Sequence, residues 1–481
     1  MIRMENVSFH YIDSEEGVSG ISLNVRNGEC VVLTGPSGGG KTTIMRLLNG
    51  LAPSYYPGAL TGRIFLNKTP LPQLPLYAVG QQVGSVFQDP RSQFFSSELA
   101  GEVAFACENY GLLKDEIRSR TDYAIDALSL DHLRERNLDV LSSGEKQRTA
   151  IASVYALRPN IYICDEPTSN LDYEGAEELA VILRRLKAEG CTLVIAEHRL
   201  SWLHGIADRF VYVCDGRIRW ERNADEMERL SDKQRKEAGL RVVREGETAG
   251  VYKGDVLVLR EVNETKSDPP APCSPAAALR VQNLYCRKKG REIFRNISFT
   301  AYTGQITAIT GRNGAGKTSL ALVLSGLWRE SGGQIEIGGK KRRAGQRRRQ
   351  IWFSSNDTGT QFFTNSVTEE LLLHSERSEE RLERTRELLN DLGLYAYKDA
   401  HPTTLSGGQK QRLSIACGVL SDRKILIFDE PTSGLDGGSM NQIADVLRSE
   451  AKAGKTILVI THDQELVRCC CDYEMVVFAG Q

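Results

Sequence analysis

The chain has 481 residues, enough for two or three domains that each bury a sizeable core. Charged residues make up 26% and hydrophobic residues 41% of it, a composition typical of globular proteins. The formal net charge of -1 argues against nucleic acid as a partner, because no overall basic field would attract it.

The N-terminal MIRMENVSFHY lacks the apolar core of a signal peptide, and no apolar run approaches the roughly 20 residues that span a bilayer. A membrane function would therefore require a separate membrane subunit. The 11 cysteines are scattered without CxxC spacing, which favours free thiols in a reducing compartment over a metal site.

The chain repeats itself in four matching pairs of motifs. The pairs are GPSGGGKTT at 35–43 with GRNGAGKTS at 311–319, LSSGEKQR at 141–148 with LSGGQKQR at 405–412, IYICDEPTSNLD at 161–172 with ILIFDEPTSGLD at 425–436, and His198 with His462. The first pair is 276 positions apart and the other three are 264 apart, so the second copy is 12 residues shorter between its first two motifs. Part of the loss falls where the first copy has LAPSYYPGALTG.

The repeat predicts a first domain at 1–222, a connector at 223–278 and a second domain at 279–481. The charged start of the connector, 223–241, predicts helix, and GVYKGDVLVLREV predicts a short extended segment. Its end at 262–278 is rich in Pro and Ser and predicts a flexible linker. The basic run KKRRAGQRRR at 340–349 is interpreted as a solvated loop between strands, in preference to a phosphate- or lipid-binding patch.

We call 35–43 and 311–319 the glycine loops. Each follows an apolar, strand-like run and precedes a helix-like one, which is the context of a phosphate-binding loop. Glycines let backbone N–H groups crowd around phosphate oxygens at the positive end of a helix. Lys41 and Lys317 are expected to reach the β and γ phosphates, and Thr42 and Thr318 to place a hydroxyl on Mg²⁺. The other candidate nucleotide-binding residues of the loops are Gly35, Ser37, Gly38, Gly40 and Thr43, and Gly311, Asn313, Gly314, Gly316 and Ser319.

An apolar strand ending in Asp-Glu follows in both copies. Asp165 and Asp429 are candidate Mg²⁺ ligands. Glu166 and Glu430 lie one residue further on, placed to polarise a water that attacks the γ phosphate. The pattern therefore predicts hydrolysis of a nucleoside triphosphate.

His198 and His462 follow strand-like runs in the same register, which makes them candidate γ-phosphate sensors. The ordered set of glycine loop, glutamine loop, LSGGQ signature, Asp-Glu strand, SxLD loop and histidine resembles the ABC-type ATPase family in both copies. The resemblance implies an α/β fold with two tandem P-loop ATPase domains. Each would have a mixed RecA-like core, an antiparallel β subdomain and a helical subdomain, and would bind ATP and Mg²⁺.

In that family two ATPase domains dock head to tail, so each ATP lies between the glycine loop of one domain and the signature of the other. We call 141–148 and 405–412 the signature stretches. The resemblance implies an internal pseudo-dimer in which each half supplies part of both sites. Lys41, Glu166 and His198 would work with Ser406, Gly408 and Gln409, and Lys317, Glu430 and His462 with Ser142, Gly144 and Glu145.

The signature stretches differ between the copies, and so do the glutamine loops, which are VFQDPRSQFF at 86–95 and SNDTGTQFF at 355–363. Ser143 stands where the second copy has Gly, and would cost about 1–2 kcal/mol if the position needed a positive φ. Glu145 would place a carboxylate near the nucleotide. Gln88 is a candidate Mg²⁺ ligand and catalytic residue, whereas its counterpart Asn356, also a candidate ligand, is one methylene shorter.

The adenine-stacking position differs as well. Tyr11 fits this role in the first copy, but the second copy offers Arg287 or Lys288 there, with Tyr285 as an aromatic alternative. Because all these departures fall on the site built around Lys317, that site is predicted to hydrolyse ATP more slowly.

The stretches QDPRSQFF, NDTGTQFF and NGLAPSYYPGALTGRI resemble ATPase subunits of energy-coupling factor importers, which take up vitamins or transition-metal ions. This resemblance implies two membrane partners, a transmembrane coupling protein and a substrate-binding membrane protein, and a peripheral position on the cytoplasmic face of the membrane. Residues 88–105 and 356–371 would receive the coupling helices of the membrane partner.

Two alternatives stay open. The fused ATPase of a sugar-type importer would not explain the QFF pattern. A soluble twin-ATPase translation factor normally has an Asn-His-Leu-Asp loop, whereas this chain has SNLD at 169–172 and SGLD at 433–436, and the Pro-rich stretch 268–275 would interrupt a helical arm.

Overall fold

The computed structural model describes residues 1–12, 16–169, 171–242, 258–262, 276–288, 290–356, 361–373 and 378–477. It divides into two compact units, one of residues 1–249 with 436–438 and one of residues 250–435 with 439–481. The predicted domain limits at 222 and 279 stay predictions. Most of the predicted Pro- and Ser-rich linker lies outside the described residues.

The first unit contains ten strands and nine α-helices in its described part. The strands are β1 (Ile2–Tyr11), β2 (Gly17–Val25), β3 (Cys30–Thr34), β4 (Gly58–Leu66), β5 (Thr69–Pro70), β6 (Val83–Val86), β7 (Ile161–Asp165), β8 (Thr192–Ala196), β9 (Arg209–Cys214) and β10 (Arg217–Asn223). The helices are α1 (Lys41–Leu48), α2 (Leu51–Ser54), α3 (Leu76–Gln82), α4 (Leu99–Asn109), α5 (Lys114–Ala127), α6 (Ser143–Leu157), α7 (Tyr173–Ala188), α8 (Ala224–Glu228) and α9 (Asp232–Glu237). Helices α8 and α9 confirm the predicted helical start of the connector.

Two sheets organise the first unit. The six-stranded sheet has the order β10-β9-β3-β8-β7-β6, parallel except for its edge strand β10, and the four-stranded sheet β2-β1-β4-β5 is antiparallel. Strands β3 and β8 are buried along their whole length because they are continuous apolar or β-branched runs covered on both faces. Helices α4, α5 and α6 pack on one another and form a helical layer.

The second unit repeats this arrangement. Its strands are β11 (Val258–Glu261), β12 (Ala277–Lys288), β13 (Arg291–Tyr302), β14 (Ile306–Thr310), β15 (Gly332–Ile337), β16 (Lys340–Lys341), β17 (Ile351–Ser354), β18 (Ile425–Asp429), β19 (Thr456–Ile460) and β20 (Tyr473–Val476). Its helices are α10 (Lys317–Leu324), α11 (Ala344–Arg347), α12 (Val367–Leu371), α13 (Glu379–Asp391), α14 (Gly407–Leu420), α15 (Gly437–Lys452) and α16 (Gln464–Cys470). The sheets have the orders β11-β20-β14-β19-β18-β17 and β13-β12-β15-β16. The predicted α/β fold with a mixed core sheet, an antiparallel sheet and helices is confirmed.

The edge strand of the core sheet has a different origin in the two units. In the first unit β10 follows β9 directly and pairs with it as a hairpin. In the second unit β11 precedes the whole repeat and pairs antiparallel with β20, the last described strand. The predicted extended segment of the connector is thus confirmed at 258–261, where it forms the edge strand of the six-stranded sheet of the second unit.

The strand registers locate the 12 residues that the second copy lacks. Corresponding residues are 277 positions apart at β1 and β12, 271 at β4 and β15, 268 at β6 and β17, and 264 at β7 and β18. Five of the 12 are therefore lost between the glycine loop and β4 or β15, around the stretch LAPSYYPGALTG, three more before β6 or β17, and the last four after that strand.

The prediction of a solvated loop at 340–349 is wrong for part of the run. Residues 340–341 form β16, and residues 344–347 form α11. Arg347 is completely buried and its guanidinium pairs with Glu330 at 2.5 Å. The run was misread because a buried arginine with a distant carboxylate partner has the same local sequence as a solvated one.

None of the helices in the described part of the chain has the length and apolar character needed to cross a bilayer.

Candidate nucleotide sites

Both glycine loops begin at a position that only glycine can occupy. Gly35 has φ 136° and Gly311 has φ 132°. A Cβ atom at either residue would lie 2.1 Å from a backbone carbonyl oxygen, that of Val213 or Val477. The loops therefore pass directly over the neighbouring strand and turn into the N-termini of α1 and α10, where backbone N–H groups are left for an anion.

The remaining predicted loop residues lie where the pattern placed them. Those within the loops are Ser37, Gly38, Gly40, Asn313, Gly314 and Gly316, and those in the first turn of the helices are Thr42, Thr43, Thr318 and Ser319.

Each loop lysine donates to two carbonyl oxygens of its own loop. The Nζ–O distances are 3.0 and 2.9 Å from Lys41 to Gly35 and Pro36, and 2.7 and 2.8 Å from Lys317 to Gly311 and Arg312. Burial lowers the pKa of Lys41, and the nearby Glu166 carboxylate opposes that shift. The ammonium groups are thus held over the loops by neutral acceptors.

The Asp-Glu strands bring a carboxylate to the loop threonine. Thr318 Oγ1 donates to Asp429 Oδ2 at 2.7 Å, and in the first unit the Thr42 hydroxyl lies near enough to Asp165 to act on the pKa of its carboxyl, which it lowers. Burial, and secondly the charge of Glu166, raise the pKa of Asp165 to about 6, and burial also raises the pKa of Asp429. Each pair supplies a hydroxyl and a carboxylate oxygen, which are the hard donors that fit Mg²⁺.

The glutamate after each aspartate has a left-handed backbone. Glu166 has φ 45° and Glu430 has φ 51°, values that are uncommon for residues with a side chain. Their N–H groups donate to Ala196 and Ile460, at 2.9 and 2.8 Å, so the strained backbone is held by the adjacent strand.

Three predicted catalytic residues meet in the first unit. Gln88 Nε2 donates to Glu166 Oε2 at 2.7 Å, and His198 Nε2 lies 3.2 Å from Glu166 Oε1. Burial opposes ionisation of Glu166, but the interactions with His198 and with the Lys41 ammonium together outweigh it and lower the pKa of this carboxyl. The ionised form, which is the form that can accept a proton, is therefore favoured.

The matching glutamate of the second unit has different neighbours. His462 Nε2 lies 3.6 Å from Glu430 Oε1, while Glu430 Oε2 accepts the Thr461 hydroxyl and the His462 N–H, both at 3.4 Å. Asn356, the counterpart of Gln88, is exposed.

Sequence analysis missed Glu197, the residue before His198. It is 2% exposed, and its carboxylate accepts hydrogen bonds from the backbone N–H groups of His198 and Arg199 and from the Thr168 hydroxyl. Burial raises its pKa, an effect that the Thr168 hydrogen bond opposes. The signal was an acid at the position where the second copy has Thr461.

The signature of the first unit starts α6. Ser142 is its N-cap: the Ser142 N–H donates to Glu145 Oε2 at 2.7 Å, and the Glu145 N–H donates to Ser142 Oγ at 3.3 Å. Burial opposes ionisation of Glu145, but the hydrogen bonds with Ser142 and the nearby charge of Arg148 together outweigh it and lower the pKa of the carboxyl. The Glu145 carboxylate is thus directed at its own helix N-terminus. Ser143, the first helical residue, is not among the residues with positive φ, so the strain considered for it does not arise.

The signature of the second unit has the same cap at the start of α14. The Ser406 N–H donates to Gln409 Oε1 at 2.8 Å, and the Gln409 N–H donates to Ser406 Oγ at 3.4 Å. A Cβ atom at Gly407, the counterpart of Ser143, would meet nothing within 4 Å. Gly144 and Gly408 occupy the second position of each helix.

Tyr11 is tied to α1 by its hydroxyl. This hydroxyl lies 3.3 Å from Thr43 Oγ1 and accepts from Arg46 at 3.0 Å, and the ring makes edge contacts with Phe9 and Tyr56. The Arg46 guanidinium also lies over the Tyr56 ring, 4.0 Å from its centroid. Tyr11 therefore stands beside the glycine-loop helix with its orientation fixed.

Strand register identifies the counterpart of Tyr11. Because β1 and β12 are offset by 277 positions, this counterpart is Lys288, and Tyr285 matches Ser8 instead. Lys288 Nζ lies 3.0 Å from the centroid of the Trp328 ring. At the position of Tyr11 the second unit thus has a cation packed on an aromatic ring from the segment that follows α10.

Comparison with known proteins finds one family model that matches both halves of the chain and relatives that match its whole length. The model of the family described as ABC transporter matches residues 18–169 and 294–433. A putative ABC transporter ATP-binding protein of Treponema denticola is 38% identical over 482 residues, covering 100% of this chain and 96% of the relative. The putative HMP/thiamine import ATP-binding protein YkoD of Bacillus subtilis is 31% identical over 491 residues, covering 99% of this chain and 90% of the relative.

Among solved structures, the archaeal ribosome recycling factor aABCE1 in its complex with the ribosomal stalk protein aP1 matches with a TM-score of 0.65. The match covers 98% of this chain and 87% of that chain at 20% identity, and shows likeness of fold alone.

Proposed function

The chain belongs to the ABC transporter family, with two fused ATPase domains, and on this premise we propose that it energises an importer of the energy-coupling factor type for a vitamin or metal ion. The relative YkoD, which matches over 99% of this chain, is named as a putative HMP/thiamine import ATP-binding protein. This name supports the importer class. The proposed partners are a transmembrane coupling protein and a substrate-binding membrane protein. The proposed location is the cytoplasmic face of the membrane.

The observation that carries the proposal is a pair of exposed phenylalanines after the glutamine loops. Phe95 is 75% exposed and Phe363 is 80% exposed. Their neighbours Phe94 and Phe362 pack against the cores of the two units, so only the second ring of each QFF sequence is presented outward. Large exposed apolar side chains in matching loops are typical of protein docking surfaces.

A buried glutamate holds each of these loops in place. Glu102 Oε2 accepts the N–H groups of Phe95 and Ser96, both at 2.8 Å, and Glu370 Oε2 accepts those of Phe363 and Thr364, both at 2.9 Å. Because the loops are anchored in the same way twice, their exposed rings are preorganised for a partner, and less ordering is needed on binding.

A cavity of about 300 Å³ lies beside the Phe95 loop in the first unit. Apolar side chains dominate its lining, among them Leu76, Phe87, Phe105 and Val154. A cavity of this size accepts one or two apolar side chains of a partner helix, consistent with the proposed docking of a coupling helix at 88–105.

The chemistry proposed for this chain is hydrolysis of ATP. The glycine-loop N–H groups and Lys41 or Lys317 would bind the phosphates, and Glu166 or Glu430 would take a proton from the attacking water. The candidate Mg²⁺ ligands are Thr42, Gln88 and Asp165 in the first copy and Thr318, Asn356 and Asp429 in the second. A bound Mg²⁺ would supply charge neutralisation on the phosphates.

We further propose that the two domains act as a head-to-tail pseudo-dimer. Ser142 and Ser406 would each present a helix N-terminus to the nucleotide of the other domain, together with Gly144 and with Gly408 and Gln409. ATP would then close the pair and its hydrolysis would release it. The site around Lys317 is proposed to be the weaker one.

Affinity purification from detergent-solubilised membranes of the source organism tests the proposal. The tagged full-length chain is expected to retain a small hydrophobic membrane protein, and the Phe95→Ser and Phe363→Ser double variant is expected to lose most of it. Val181→Ser, which removes another exposed apolar side chain on α7, is the matched control and should retain it. ATPase activity of the isolated chain should survive all three changes.

Two results would contradict the proposal. Ribosomal proteins in place of a membrane protein would indicate a translation factor. Retention of the membrane protein by the double variant would move the docking surface elsewhere and favour another importer class.

A further inference from the structure

A carboxylate that the proposed chemistry does not use lies directly behind the first catalytic site. Glu197 Oε1 accepts the backbone N–H groups of His198, at 2.8 Å, and of Arg199, at 3.1 Å. Glu197 Oε2 accepts the Thr168 hydroxyl at 2.6 Å. Thr168 comes two residues after Glu166. The Glu197 side chain therefore joins the backbone at His198 to the segment that carries Glu166.

The second unit makes the same connection from a different residue. Thr432 Oγ1 donates to Asp463 Oδ2 at 2.7 Å, and the Asp463 N–H donates to Thr461 Oγ1 at 3.0 Å. Thr432 is the counterpart of Thr168, but Asp463 is the counterpart of Arg199, and Thr461 that of Glu197. The acid has therefore changed sides of the histidine between the two copies, from position 197 to position 463.

This exchange alters the contacts of the catalytic glutamate. In the second unit the His462 N–H donates to Glu430 itself. In the first unit Glu197 accepts the corresponding N–H, and Glu166 Oε2 accepts Gln88. In the first unit, therefore, Glu166 Oε2 is not used by the backbone of His198 and is bound by the Gln88 side chain instead.

We infer that Glu197 is a positioning residue of the first catalytic site: it fixes the backbone of His198 so that the His198 ring and Gln88 together orient the Glu166 carboxylate. The inference rests on the proposed catalytic roles of Glu166 and His198. Without Glu197, two buried N–H groups and a hydroxyl lose their acceptor. The backbone at His198 then shifts. Its N–H groups compete with Gln88 for the Glu166 carboxylate, as the His462 N–H contacts Glu430 in the second unit.

Glu197→Ala in the full-length chain tests the inference. We expect kcat for ATP hydrolysis to fall between about tenfold and a hundredfold, as for a small displacement of catalytic groups, with KM changed little. Amide hydrogen exchange at His198 and Arg199 should accelerate without nucleotide, which gives a readout separate from activity.

Two further variants separate positioning from a general loss of structure. Glu197→Gln keeps an oxygen acceptor for the N–H groups and should recover most of kcat and the slow exchange. The double variant Glu197→Thr with Arg199→Asp installs the residues of the second unit and should recover both more fully than Glu197→Thr alone. Because both variants can be studied even if Glu197→Ala does not fold, the inference stays testable.

Wild-type kcat and exchange in a folded Glu197→Ala variant would overturn the inference. So would a double variant that is folded yet no better than Glu197→Thr. If instead Glu166→Gln and His198→Ala keep wild-type turnover, the proposed catalytic roles themselves fail, which is a distinguishable result.

Discussion

The two units hold their catalytic glutamates in the same backbone frame but surround them with different side chains. Glu166 and Glu430 share a left-handed φ and a ladder hydrogen bond to corresponding strand residues. The distance to the histidine ring is nevertheless 3.2 Å in the first unit and 3.6 Å in the second. The duplicated chain has thus preserved the backbone that sets up hydrolysis while the contacts that tune it have diverged.

The divergence extends into the cores. Counting back from β6 and β17, which are offset by 268 positions, Val79 in α3 corresponds to Arg347 in α11, and both side chains are buried. An apolar side chain and an ion-paired guanidinium therefore occupy equivalent places, which shows that one fold accepts either solution provided the charge finds a partner.

The largest expected effect is a difference in the loss of kcat when each of the two proposed catalytic glutamates is replaced. Glu166→Gln removes the proposed base of the first site and should lower kcat about 10²–10⁴-fold. Glu430→Gln should lower it less, because Glu430 lies farther from its histidine and the position of Gln88 holds the shorter Asn356 in the second unit. Steady-state ATPase assays on the full chain measure both. An equal or larger loss in Glu430→Gln would contradict the inequality of the sites.

Arg347→Leu should destabilise the second unit by about 3 kcal/mol, because it leaves Glu330 without its partner. The measurement is denaturant unfolding. The control is Arg347→Leu with Glu330→Leu, which should recover much of the loss. If the double variant is no more stable than the single one, volume and not charge explains the effect.

The same ion pair gives a pH dependence. Burial opposes ionisation of Glu330, but the hydrogen bond and charge of Arg347, with further backbone and Arg329 contributions, together outweigh it and lower the pKa of the carboxyl. Its contribution to stability is therefore present above the unfolded pKa of about 4.3 and is lost as the pH falls through the lower folded value. Arg347→Leu should weaken this acid-induced loss of stability.

A reciprocal exchange in the glutamine loops should have a smaller effect. Gln88→Asn shortens the side chain that contacts Glu166 and should lower kcat about tenfold. Asn356→Gln should raise turnover by less than about threefold, since it restores reach but not the histidine contact. The two changes are compared by kcat at saturating ATP. A loss of turnover in Asn356→Gln would show that asparagine is the adapted residue at that site.

The smallest expected effect concerns the signature. Ser143→Gly should change the free energy of unfolding by less than about 0.5 kcal/mol, because Ser143 has an ordinary helical backbone. Thermal unfolding checks this. A stabilisation of about 1–2 kcal/mol would reveal a strained φ at this position.

Much of the fold and the motif placement follows from the sequence, because glycine loops, apolar strands and duplicated order are local patterns. The meeting of Thr42 with Asp165 and of Glu166 with His198 could be foreseen for the same reason. The acceptor role of Glu197 could not, since it depends on which residue of a loop turns inward.

The misreading of the basic run has the same cause: Arg347 turns inward to Glu330, a direction set by a tertiary contact that no local spacing encodes. The Glu145 cap is different, because a serine followed three residues later by a glutamate is a local pattern of helix N-termini. The counterpart of Tyr11 became clear only from the strand register, because the two copies are offset by 277 positions along β1 and β12 but by 276 at the glycine loops.

The origin of β11 has a practical consequence for dissecting this chain. A fragment starting at Leu279 contains every motif of the second copy but omits the backbone that pairs with β20. Its core sheet would end in a row of unpaired N–H and C=O groups, inviting aggregation. A fragment starting a few residues before Val258 would keep that border covered, so the second ATPase should be excised with the tail of the connector attached.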